Sequence, residues 1–281
     1  LSRDGSRRLL AGSLASSRGL MVTALAEGIG NPFDPESFAG QLYLDAGAGD
    51  VGAVADLLGD RFSGSQLDGT VRLELWSSWD GGEQDVLLRL DMNDVLLSRV
   101  DSAWQVPLER LALDARLERR QDSWAITVAD LEMARNGILA QVPRLQLDLR
   151  GETLNLRAQA LPMEPLSALL ADMDGALPPA AIELLQTLKP RGLLSAVQLD
   201  VADITTPASG WQLQANFEEL AVDAWHGAPG VSGARGYAEL VPGSGYVVLD
   251  SHQFSMAFPT VYEQTLDYDD FQGTIHIDWD A

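Results

Sequence analysis

The sequence predicts a mainly β protein, one long antiparallel sheet with few helices. Three observations carry this. Apolar and polar residues alternate with period two along most of the chain, as half-buried strands do. The runs are joined by short turns, "DGG", "RGE" and "PGSG", which force antiparallel neighbours. Helical patterning is confined to a few short segments. Together these describe a meander of roughly fifteen strands.

The strands can be followed in order. Val71, Leu73 and Leu75 alternate with Arg72 and Glu74, and Val86, Leu88, Leu90 and Met92 follow the Asp80-Gly81-Gly82 turn. Leu111, Leu113, Ala115 and Leu117 stand against Asp114, Arg116 and Glu118, and Trp124, Ile126 and Val128 answer them beyond "RRQDS". Leu145, Leu147 and Leu149 alternate with Gln146, Asp148 and Arg150. Leu154, Leu156 and Ala158 then alternate with Asn155 and Arg157. Further on, Leu193, Val197, Leu199 and Val201 form one face of a strand whose other face shows Gln198 and Asp200. The pattern returns in "WQLQANFEEL", "GYVVLDS" and "GTIHIDW".

The helical segments are "DVGAVADLLGDRF" (50–62), with Asp50 placed to cap it, and a pair, "EPLSALLADM" and "PPAAIELLQTL". A proline suits the first turn of the second of the pair, and Pro190 with Gly192 ends it. This pair reads as a helical insertion at about 163–189 in a continuous β-rich domain over 38–281. Residues 1–37 read as strands continuing from a preceding segment. The abrupt opening "LSRDGSRRLL" and the closing "TIHIDWDA" suggest a piece of a longer chain.

Composition narrows the function classes. The net charge of −22 would repel nucleic acid and anionic bilayer surfaces alike. The absence of cysteine removes disulfides, zinc thiolates and thiol nucleophiles. No run approaches the ~18 apolar residues of a membrane helix, and no signal peptide opens the chain.

Motifs for catalysis are thin. Gly47, Gly49 and Gly52 match G-x-G-x-x-G, but Asp50 would place a carboxylate where a pyrophosphate must sit, and a strand-to-helix turn is the plainer reading. There is no G-x-S-x-G elbow, and Ser251 and His252 are adjacent strand residues that point to opposite faces. His226 and His276 have no partner constellation in the sequence. "DYDD" (267–270) and "DMDG" (172–175) read as solvated acidic turns without EF-hand spacing, so no metal site and no cofactor are assigned. The seven tryptophans scatter along the strands and read as core or groove-rim packing. What remains is the apolar face. It is either the core of a closed sandwich or barrel, or an open lining.

Four stretches carry a resemblance. They are "GTVRLELWSSWDGGEQDVLLRLDMNDVLL" (69–97), "LPPAAIELLQTLKPRGLLSAVQLDV" (177–201), "NFEELAVDAWHGAPGVSGARGYAEL" (216–240) and "MAFPTVYEQTLDYDDFQGTIHIDW" (256–279). In order and spacing the chain resembles the YhdP group of AsmA-like envelope proteins of Gram-negative bacteria, with TamB and AsmA as more distant relatives. The resemblance runs from about residue 38 to the end.

It implies a twisted, taco-like sheet with an apolar groove, and a role in moving phospholipids between inner and outer membranes in support of outer-membrane integrity. It implies a periplasmic segment of a protein anchored in the inner membrane. It brings no catalytic residues. On this reading the partners are phospholipid acyl chains, the remaining segments of the same full-length protein and other envelope proteins. The expected groove or core lining is Leu145, Leu147, Leu149, Leu154, Leu156, Leu193, Val197, Leu199 and Val201. Two other readings stay open: a non-catalytic envelope scaffold that binds proteins through its sheet edge or acidic surface, and a β-rich polysaccharide hydrolase working through paired carboxylates.

Overall fold

A computed structural model describes residues 2–4, 7–15, 20–30, 39–50, 65–99, 105–171, 179–206, 210–225, 227–259, 261–262 and 264–279. The strands are β1 (Ser2–Asp4), β2 (Arg7–Ala15), β3 (Met21–Ile29), β4 (Ala39–Asp50), β5 (Ser65–Asp80), β6 (Glu83–Arg99), β7 (Gln105–Arg120) and β8 (Ser123–Arg135). They continue as β9 (Ile138–Arg150), β10 (Thr153–Pro162), β11 (Arg191–Val201), β12 (Trp211–Val222), β13 (Gly230–Val241), β14 (Ser244–Ala257) and β15 (Leu266–Asp278). Two short helices, α1 (Met163–Ala171) and α2 (Pro179–Leu188), connect β10 to β11.

The protein is thus mainly β, as the alternation predicts. Among the described residues the strands follow one another in sequence order without a crossover, with β1 and β15 at the two ends of that order. The two-residue turns at Gly81-Gly82 and Gly151-Glu152 set the register directly, pairing Asp80 with Glu83 and Arg150 with Thr153.

The chain divides into two compact units, Leu1–Leu139 and Ala140–Ala281. In the first, β1 to β8 pair antiparallel in succession. Its small core gathers Leu20, Val22 and Ala46, with Leu44 and Leu73 against them. In the second, β9 to β15 pair antiparallel in succession. One cluster there holds Ala158, Val197 and Ala215, and another holds Phe217, Ala234, Leu249 and Phe254.

Strict alternation does not run the full length of a strand. In β11 the apolar side turns over at Ala196, which has φ of +48° and breaks the register with β12 between Ser195 and Gln198. Residues 201, 199 and 197 share a face, and beyond the bulge it is Leu194, not Leu193, that packs with them. Glu219 in β12 and Gln253 in β14 do the same, so Leu220 follows Phe217 and Phe254 follows Leu249 into one cluster. Asp94 in β6 separates Met92 from Val95, both buried. Each bulge adds one residue, or two at Gln253, bends its strand and re-aims the side chains beyond it.

The glycine motif resolves differently from a strand-to-helix turn. Gly47 and Gly49 lie within β4, and Asp50 closes that strand; the remaining residues of the expected helix, and Gly52, lie outside the described residues. A Cβ on Gly49 would come within 2.8 Å of the Leu20 backbone, so this glycine admits close packing of the neighbouring chain. The expected boundary at 37–38 also lies outside the described residues.

Candidate functional site: an apolar sheet face

In the second unit, pairing collects the apolar positions into rows that run across the strands. One row is Leu149, Leu154, Val201 and Trp211. The next is Leu147, Leu156, Leu199, Leu213 and Leu240. A third joins Leu145, Ala158 and Val197, with Ala215 packed on Val197 and continued by Ala238, Val247 and Ile275. Adjacent strands lie about 4.8 Å apart, so a five-strand row spans ~19 Å.

The opposite face of the same strands is polar at the registers between these rows. Asp148, Asn155, Asp200 and Gln212 form one row. Gln146, Arg157, Gln198, Gln214, Glu239, Tyr246 and His276 form the next. Glu239 accepts hydrogen bonds from Tyr246 Oη (2.9 Å), Tyr237 Oη (3.0 Å) and Gln212 Nε2 (2.9 Å). These donors, Tyr246 first, hold its carboxyl below the usual range. Burial, together with the hydrogen bond to Glu239, pushes the Tyr237 phenol up to about 12.

The first unit repeats this sidedness. Ala24, Leu44, Leu75, Leu88, Ala115 and Val128 form one row, and Val22, Ala46, Leu73, Leu90 and Leu113 another. Behind them runs an ion ladder, in which Arg89 contacts Asp114 at 3.1 Å and Glu74 at 3.5 Å. Arg116 reaches Asp85 at 2.6 Å, and Arg110 reaches Glu132 at 2.9 Å and Asp91 at 3.2 Å. Ladders of this kind keep one face wet while the other stays dry.

Eight of the nine residues singled out from the sequence therefore share one face: Leu145, Leu147 and Leu149 on β9, Leu154 and Leu156 on β10, and Val197, Leu199 and Val201 on β11. Leu193 stands past the bulge, opposite Pro162 and Glu218. The expected lining omits Ala158, Leu161, Leu194, Leu213 and Ala215, all in or against the same cluster. Ala158 continues the alternating run of Leu154 and Leu156, and the turn at Gly151-Glu152 fixes Leu145 opposite it. Val197 and Val201 are buried, whereas the leucines of these rows are half-buried, so the face is not sealed. At the last strand Ile275 and Ile277 are 39% and 40% exposed.

The helix pair sits where β10 ends and β11 begins. α1 packs on β10, β11 and α2 and buries Leu169 and Ser167. The Ser167 hydroxyl donates to the Glu164 carbonyl (3.0 Å), and Gln186 Nε2 donates to the Ala171 carbonyl at the end of α1 (3.3 Å). No helix among the described residues is long and apolar enough to cross a membrane.

The Ser251–His252 neighbours face apart. Ser251 is buried, its hydroxyl accepting from Arg235 N (2.8 Å) and donating to Arg235 O (3.1 Å) across the bulged part of β13. His252 pairs with Asp270 on the exposed side.

Comparison with known proteins adds two matches. The family model described as "YhdP protein" matches residues 10–280. A protein of Escherichia coli (strain K12), "Intermembrane phospholipid transporter YhdP", is 23% identical over 220 residues, which covers 72% of this chain and 17% of that protein. The chain therefore spans less than a fifth of that relative's length. No solved structure matches.

Proposed function

The chain belongs to the YhdP family, and from that membership we propose that it is a segment of a conduit that moves phospholipids between inner and outer membranes, with acyl chains carried on the apolar sheet face. The observation that supports this reading is the one-sidedness of the sheet. Leu, Val and Ala fill cross-strand rows on one face while the matching registers on the other are acids, amides and arginines.

A methylene withdrawn from water gains about 0.8 kcal/mol, so a sixteen-carbon tail needs on the order of 12 kcal/mol of shelter. A tail of ~20 Å crosses four or five strands, the reach of the Leu147–Leu240 row. Such a surface holds a chain without a specific contact, which lets it slide. The headgroup stays in water. The segment is non-catalytic and works in the periplasm, as part of a longer protein held in the inner membrane, and supports the outer membrane by supplying lipid. The remaining segments of the same protein are its partners.

The test is gentle purification followed by native mass spectrometry and lipid extraction. Wild type is expected to carry phospholipid in stoichiometric amount. Leu147→Asp and Val197→Asp are expected to lose it while circular dichroism still reports the sheet. Gln146→Asp, one residue away on the polar face, is expected to keep it. Lipid-free wild type that takes up no added labelled lipid, or equal loading of all four proteins, would overturn the reading.

A further inference from the structure

The polar face of the first unit is interrupted. Over β3 to β6 its register row reads Leu25, Tyr43, Trp76 and Leu87, in place of charge. Leu25, Trp76 and Leu87 are 44%, 40% and 47% exposed, and Leu9 beside them is 41% exposed. The Tyr43 and Trp76 rings lie 5.3 Å apart, tilted by 40°.

Two residues further along the same strands runs a second row, Glu27, Gln41, Ser78 and Asp85. An open cavity of about 420 Å³ spans both rows. Among the described residues that line it, two are carboxylates, Glu27 and Asp85, and one is a cation, Arg116, whose guanidinium is held between Asp85 (2.6 Å) and Glu118 (2.7 Å). The chain as a whole carries a net charge of −22.

We propose that this patch is a docking site for a basic amphipathic helix of a partner protein, with the helix's apolar stripe on the Leu25–Leu87 row and its lysines or arginines over the Glu27–Asp85 row. The charge of the rim selects a cationic partner. Exposed aromatic faces add to that preference, because the ring quadrupole attracts cations. The shape selects a helix. Strands β3 to β6 are already paired on both edges, so an added strand finds no free backbone there. The two rows are ~7 Å apart, within the ~10 Å width of a helix, and four strands span ~14 Å, about three helical turns. The chain's own helices α1 and α2 carry no lysine or arginine and so do not supply this partner.

The test titrates the whole 281-residue chain with a labelled synthetic Lys/Leu helix of about fourteen residues, read by fluorescence anisotropy at physiological salt. The expected result is saturable binding, weakened about tenfold by Trp76→Ser, by Leu87→Ser and by Glu27→Lys, and restored by Trp76→Phe. Asp250→Lys, on the polar face of the second unit, is expected to leave it unchanged. Equal weakening by Asp250→Lys and Glu27→Lys would mean diffuse attraction to an acidic chain and would overturn the proposal. So would equal binding of a Glu/Leu helix, insensitivity to both serine variants, or Trp76-dependent binding of phosphatidylethanolamine vesicles in place of the peptide. Circular dichroism of each variant separates lost binding from lost fold.

Discussion

Glu239 shows how a single residue on the polar face keeps the sheet two-sided. Its carboxylate takes three side-chain donors from β12, β13 and β14, so the strands are braced where the apolar rows behind them have only packing. The brace titrates at both ends of the pH scale. The folded Glu239 titrates below its ordinary 4.5, so its contribution is present above that value and fades as pH falls through the depressed one. The folded Tyr237 titrates at about 12 against an ordinary 10.0, so its contribution is complete below pH 10 and fades as pH rises toward 12. Because the carboxylate helps hold that phenol protonated, Glu239→Gln is expected to bring the Tyr237 titration down, though not fully to 10, since burial remains the larger cause. Tyrosinate absorbance across an alkaline titration reads this directly. An unchanged curve would mean that burial alone sets the phenol.

At the scale of the element, the strand with one bulge is the repeating device, and it explains where reading the sequence succeeds and stops. Leu145 to Leu156 were legible because two strands meet at a two-residue turn, which fixes both register and facing. The antiparallel order was legible for the same reason. Strict period two puts Leu193 with Val197, and the bulge at Ala196 gives that place to Leu194. Nothing in "GLLSAVQL" announces the slip, because alanine is an unusual residue to hold φ of +48° and the tertiary packing of Leu194 on Phe217 decides it. The apolar patch around Trp76 was hidden too, because a tryptophan in an alternating run gives no hint of which face it joins. Leu194→Ala is therefore expected to destabilise the chain by about 2 kcal/mol and Leu193→Ala by less than about 1 kcal/mol, measured by urea unfolding. The reverse order would mean that β11 keeps one phase throughout.

Across the whole molecule, each unit has leucine rows on one of its faces and charge on the other, so the proposed transport would use a repeated surface and not one pocket. A repeated surface makes a distinctive kinetic demand. If lipids pass along successive rows, one interrupted row limits the flow, and a second interruption elsewhere adds little. If each unit instead holds lipid independently, two interruptions multiply. Leu75 in the first unit and Leu147 in the second are equivalent positions for this purpose, each half-buried in a leucine row. An aspartate at either draws water onto the face, and a passing tail that loses contact for two methylenes gives up ~1.6 kcal/mol, enough to slow passage about tenfold. In the full-length protein, Leu75→Asp and Leu147→Asp are each expected to slow phospholipid transfer about tenfold, and the double variant to be within about twofold of the slower single. A double variant slowed by the product of the two would argue for independent lipid sites, and would leave the sheet a lipid carrier in two places without being a path between them.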